Sequence, residues 1–286
     1  MVKKSKQSSL SPRLISEKVQ IMIRGKNSAA ISRYQVLARQ MSYLFNVPSE
    51  SIIPTVKTVQ RKDQAVMTQP EKDRYIDGIS ALINSGWYGS HVAIHADMSH
   101  RQHTMSGPIG TQRFLAWHRV YLFELEQKLL GFDQDCFIPY WDWTKDRAVP
   151  EWLRDFRPTV MVNGNPIEVF RRPGQQPGVS LPSQEQVGNL DTIHDFARFT
   201  RPRKGLEGLH NNVHVWVGGT MNDIMYSPSD CLFWLHHANV DRIWFQWQKN
   251  NTNKNPTLNG ADAIMDPWSF SEEDTRDLAN FGYEYI

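Results

Sequence analysis

The chain has 286 residues, 40% hydrophobic and 22% charged, the balance of an ordinary globular protein with enough apolar material for a core. A formal net charge of +2 gives no ground for a nucleic-acid or membrane-surface partner, and no apolar run is long enough to span a bilayer. Two cysteines, Cys136 and Cys231, do not make a disulfide framework, so the unusual features are ten tryptophans and ten histidines.

Residues 1–15 are polar and basic with no apolar stretch behind them, which predicts a flexible tail, no secretory signal and a cytoplasmic location. Residues 29–46 have apolar positions at helical spacing and predict a helix. Residues 47–70, with Pro48, Pro54 and Pro70, read as an irregular connection. A second helix is expected over 71–85, with Gly86 just past its end. Residues 87–104 then hold His91, His95, His100 and His103, and 105–111, with Gly107, Pro108 and Gly110, read as a loop.

The strongest helical pattern follows at 112–130, where Phe114, Trp117, Val120, Tyr121 and Leu125 keep the period and Gly131 closes it. Residues 157–205 are rich in proline and glycine and predict a long surface excursion with short strands near 160–164. A last strong helix is expected over 228–249, capped by Ser229 or Asp230, and a short one at 271–280. No repeat or linker divides the chain, so 1–286 is read as a single domain. The expected fold is mainly α: a four-helix bundle of histidine-bearing helices with long irregular loops and a few short strands.

Nine of the ten histidines fall into two groups: His91, His95, His100, His103 and His118, then His210, His214, His236 and His237. One helical turn separates His210 from His214, so both imidazoles project from one face about 6 Å apart and can share one metal ion. No cysteine or carboxylate stands at ligand spacing, so the usual zinc patterns do not apply. Imidazole-only ligation suits copper, zinc, iron or nickel. Two sets of three neutral imidazoles leave a metal pair with its full positive charge, which suits dioxygen bound between two copper ions.

FLAWHRVYLFELE, PYWDW, HNNVHVWVGG and SPSDCLFWLHHANVDRIWFQW resemble the signature segments of the tyrosinase family, the type-3 copper proteins. The resemblance implies two copper ions with three histidines each. It gives His210, His214 and His237 to the second copper and His118, in WHR, to the first. Relatives often place the middle ligand of the first site about nine residues before WHR, where this chain has no histidine. His95 and His103 are taken as the remaining ligands, with His91 and His100 as alternatives. Asp241, one turn after His237, is expected to accept that ring's free N–H, and Arg119 to pair with Asp241 across the bundle. Phe233 resembles the family's aromatic residue that packs over the site.

The resemblance also implies phenol chemistry, with dioxygen as co-substrate and a small phenol as substrate. Hydroxylation needs the phenol deprotonated as it arrives. Asn211, next to His210, and Glu207, three residues before it, are the candidates for holding a basic water; in relatives the acid commonly lies further upstream. Val215, after His214, gives a neutral, apolar pocket wall. Neither cysteine lies where relatives form a thioether to the middle histidine, so no such link is expected. The chain ends at Ile286, soon after the last motif, which predicts the bacterial or archaeal type without a C-terminal shielding domain. The expected activity is that of a tyrosinase, the pigment-forming oxidation of monophenols and o-diphenols to o-quinones. A catechol or o-aminophenol oxidase and a hemocyanin-like dioxygen carrier are the alternatives; oligomeric state and a copper-delivery partner stay open.

Overall fold

The computed structural model describes residues 58–286. The expected tail at 1–15 and helix at 29–46 lie outside the described residues, as does the connection at 47–70 as far as residue 57. Residues Val59–Ala279 and Tyr283–Ile286 form one compact unit. Its helices are α1 (Gln69–Asn84), α2 (Trp87–Ala96), α3 (Gly107–Phe132), α4 (Gln184–Gly188), α5 (Phe196–Thr200), α6 (Leu206–Val217) and α7 (Leu232–Asn250). Four of them, α2, α3, α6 and α7, carry seven of the nine clustered histidines; His100 and His103 lie in the segment between α2 and α3.

The helix α3 is the central element. Ten consecutive residues, Phe114 to Phe123, are buried, so this helix is wrapped on all sides rather than amphipathic. Its start departs from the sequence expectation, because Gly107, Pro108 and Gly110 belong to the helix and not to a loop. The physical reason is positional: proline is tolerated in a first helical turn, where its missing N–H has no partner to lose. The helix α7 begins at Leu232, later than expected, because Ser227–Ser229 around Pro228 forms a separate short 3-10 turn. Its N-cap is Cys231 rather than Ser229 or Asp230, although Asp230 Oδ1, one residue earlier, accepts from the Leu232 N–H at 2.9 Å.

The excursion at 157–205 contains a hairpin of β2 (Thr159–Val162) and β3 (Asn165–Glu168), with Val160 opposite Ile167. Its two-residue turn, Asn163 and Gly164, has φ of 49° and 80°, the geometry that such hairpins require. The short helix expected at 271–280 is instead broken into single turns, one of them Glu273–Arg276. Beyond it lies an unexpected strand, β4 (Tyr283–Tyr285), paired in parallel with β1 (Val59–Arg61).

Strand β4 is tied to the bundle by buried charge. Arg119 on α3 donates to Asp241 on α7 at 2.6 Å, as the sequence suggests. Tyr283 and Tyr285 each donate to the other carboxylate oxygen at 2.6 Å. Arg61 on β1 pairs with Glu126 on α3 at 2.9 Å. Buried charges survive folding only with partners of this kind, and here they lock α3 and α7 side by side. Among the described residues no helix is long and apolar enough to cross a membrane.

Candidate metal centre

Two groups of imidazoles converge in the bundle core. His95 from α2, His103 from the segment before α3, and His118 from α3 form the first. His95 Nε2 lies 3.2 Å from His103 Nε2 and 3.4 Å from His118 Nε2. His210 and His214 from α6 meet His236 and His237 from α7 in the second. There the Nε2 atoms of His210, His214 and His237 stand 2.9, 3.0 and 3.4 Å apart. The groups are adjacent, because the rings of His118 and His237 stack at 4.5 Å and 18°.

The Nδ1 side explains why these Nε2 atoms face inward. His118 Nδ1 donates to the Phe114 carbonyl one turn back at 2.8 Å, and His214 Nδ1 to the Met221 carbonyl at 2.6 Å. His210 Nδ1 donates to Asn211 Oδ1 at 3.0 Å. Each of these rings therefore offers a bare Nε2 lone pair. Burial, reinforced in most cases by neighbouring imidazoles, holds every ring in the two groups below the ordinary histidine range, His103 down to about 3 and His214 to about 4. Neutral lone pairs crowded within 3.4 Å repel one another unless a cation shares them. The donor set passes the test for a soft or borderline transition metal: all imidazole, deprotonated and pre-aimed.

His236 belongs to the second group by distance but not by tautomer. The Trp143 indole N–H donates to its Nδ1 at 3.2 Å. An indole can only donate, so His236 carries its proton on Nε2 and has no lone pair left for a metal. That tautomer sets His236 apart from its neighbour His237. The first group sorts itself by distance. His91 is held against the Tyr121 carbonyl and stacks on Trp87 and Tyr121, and His100 is paired with Asp266. Neither reaches the other three.

Asp241 does not take the N–H of His237. Its oxygens are occupied by Arg119, Tyr283 and Tyr285, and His237 Nδ1 has no hydrogen-bond partner among the described residues. Tyrosines 42 and 44 positions further along claimed the carboxylate, which helical spacing from His237 cannot reveal. Phe233 stacks on His237 at 3.9 Å and meets His95 edge-on at 5.3 Å, so its ring touches both groups. Asn211 is exposed and Val215 half-buried. Cys136 and Cys231 are both buried free thiols.

Glu207 is buried on the first turn of α6, yet its partner lies across the site. The Thr104 N–H donates to Oε1 at 2.9 Å and the Thr104 hydroxyl to Oε2. Burial pushes this carboxyl up to about 7 despite those bonds. Sequence reasoning missed Thr104, and it missed what holds His103. A Cβ on Gly110 would lie 1.8 Å from the His103 carbonyl oxygen, so only glycine lets that segment lie against α3. Gln102 donates to the His95 carbonyl at 2.8 Å, and Arg113 on α3 to the His100 carbonyl at 3.0 Å. Gly110 was visible in the sequence but read as a loop signal.

A helical core closed around two adjacent imidazole triads defines a dinuclear metal protein of the copper type. A family model for the common central domain of tyrosinase matches residues 85–188 and 152–250. The tyrosinase of Streptomyces antibioticus is 32% identical over 256 aligned residues, which cover 73% of this chain and 92% of that one. Among solved structures, a functional unit of octopus hemocyanin superposes with a TM-score of 0.65 at 22% identity, over 79% of this chain and 68% of that one. A recombinant mushroom tyrosinase gives 0.60 at 18% identity, over 82% and 63%. The chain belongs to the tyrosinase family, copper oxidoreductases whose cofactor is a pair of copper ions.

Proposed function

We propose that His95, His103 and His118 hold one copper ion and His210, His214 and His237 the other. We further propose that the site hydroxylates small monophenols at the ortho position and oxidises o-diphenols to o-quinones. Copper, when bound, supplies dioxygen binding and the capacity to accept electrons. In balance, a monophenol and one dioxygen yield an o-quinone and one water. The observation that carries the reading is the pair of neutral, all-imidazole triads in ring contact, with Phe233 stacked on one and edge-on to the other.

The chain's own groups divide the remaining work. His214 is only half-buried while the other five imidazoles are buried, so a phenol arrives on the His214 side. There Val215 offers a neutral wall. Asn211 spends its oxygen on His210, which leaves its amide N–H groups free to hold a water or a phenol oxygen. Glu207, one turn before His210 and with its carboxyl near 7, is the base that receives the phenolic proton. A copper-loaded sample given tyrosine, then a catechol, separates the readings through quinone absorbance and dioxygen uptake. Quinone from both is expected, and E207Q should slow monophenol hydroxylation by about 100-fold. Quinone from the catechol alone reduces the protein to a catechol oxidase; reversible dioxygen binding without quinone makes it a carrier.

A further inference from the structure

We propose that the hydroxyls of Thr104 and Thr111 form the route by which Glu207 exchanges its proton with solvent, through a cavity that both threonines line. The proposal rests on the reading of Glu207 as the base. A buried base works once and then needs an exit for its proton. Glu207 is 2% exposed, and both its oxygens face Thr104, so direct release to bulk water is closed. Thr104 is not the end of the chain of hydroxyls. Thr111 Oγ1, on the early part of α3, donates to Thr104 Oγ1 at 3.1 Å, and its alternative acceptor is the Gly107 carbonyl at 3.3 Å.

Thr104 and Thr111 border a cavity of about 400 Å³ together with Gly107, Pro108, Gln112 and Ala197. That volume admits several waters at about 30 Å³ each. Gln112 and Ala197 also border a wider cavity of about 760 Å³, edged by Arg198, Arg201 and Lys254. The hydroxyl chain therefore ends in an open cavity that shares Gln112 and Ala197 with the wider, more polar one. Gln112 is no competitor for the proton, because its amide is paired twice with Thr257.

As drawn, every hydroxyl points its proton towards an ionised Glu207, the state ready to accept. After the phenolic proton arrives, both hydroxyls rotate so that Thr104 donates to Thr111 and Thr111 to a cavity water. Glu207 Oε2–H then passes its proton to Thr104 Oγ1, Thr104 releases its own to Thr111 Oγ1, and Thr111 releases one to the water. The transfer leaves both hydroxyls pointing back towards the ionised Glu207, as they started. Each O–H bond broken is matched by one formed, and one proton leaves. Only a side chain that donates and accepts through the same atom can do this, which threonine meets and valine does not.

The test is monophenol hydroxylation by the copper-loaded enzyme with Thr111→Val and Thr111→Ala, copper content being read alongside. Both variants should turn over about 10-fold more slowly, with a larger solvent deuterium isotope effect. Thr111→Ser should restore the rate, and rising inorganic phosphate at fixed pH and ionic strength should rescue Val and Ala but leave the native enzyme unchanged. Wild-type turnover in both variants, or slow variants with an unchanged isotope effect and no phosphate rescue, overturns the relay. A failure of the underlying reading looks different, since E207Q would then keep its monophenol activity whatever Thr111 does.

Discussion

The two histidine triads do the same chemical job but are built in different ways. The second comes from two helices: one turn of α6 gives His210 and His214, and one position of α7 gives His237. Local helical geometry fixes two of its three ligands relative to each other before any tertiary contact forms. The first is drawn from α2, from a non-helical segment and from α3. Its geometry depends on contacts outside the ligands: Gly110 beneath His103, Gln102 on His95, and Arg113 on the His100 carbonyl. A site assembled from a helix, a segment and a helix is only as accurate as the packing that holds the segment.

The largest break in that comparison comes from removing a ligand. His118→Ala and His237→Ala should each leave about one copper per chain, read by elemental analysis, and lower quinone formation by more than about 100-fold, beyond what losing a hydrogen bond to a ligand costs. Equal losses of both coppers from either variant would mean that the triads fill only together.

Acid should affect both triads alike. The rings are neutral in the folded apoprotein, His103 near 3, against about 6.5 in an unfolded chain. Between those values the unfolded state binds more protons, so stability falls as pH drops below about 6.5. A ring such as His103 should cost roughly 2–3 kcal/mol by pH 4.5. Urea unfolding of the apoprotein at pH 7.5 and pH 5 measures it, and a flat profile would contradict neutral buried rings.

Gly110→Ala sharpens the contrast. Its methyl would meet the His103 carbonyl at 1.8 Å, so His103 or α3 must shift, at a cost of about 1–3 kcal/mol. The copper of the first triad should weaken while that of the second is retained, which titration with a copper chelator resolves as one early and one late release. The smallest effect belongs to Trp143→Phe. It removes the indole that fixes His236, at a cost of about 1 kcal/mol in thermal unfolding. It also frees a fourth imidazole to compete for the second copper, visible as a second copper signal in electron paramagnetic resonance after oxidation.

The same contrast governs what the sequence discloses. Helical periodicity and the His210–His214 spacing are local properties, and the bundle and that pair followed from them, whereas His237 was named only through the family resemblance. The choice of His103 rested on its nearness to the segment before α3, and what keeps it there escaped notice because Gly107, Pro108 and Gly110 carry the same letters in a loop and in a first helical turn. The partners of Asp241 and Glu207 escaped for another reason. Tyr283 and Thr104 reach them from 42 and 103 positions away, and no spacing rule carries over such distances. The parallel pairing of β1 with β4 joins segments more than 220 positions apart and was invisible on the same ground.

The central claim is that six neutral imidazoles, three to each metal, hold a copper pair. Copper content per folded chain, measured after saturation and removal of loose metal, tests it most directly. Two ions per chain, falling to one when either His118 or His237 is replaced, is the predicted result. A single ion in the native protein, or two that survive both replacements, would contradict it.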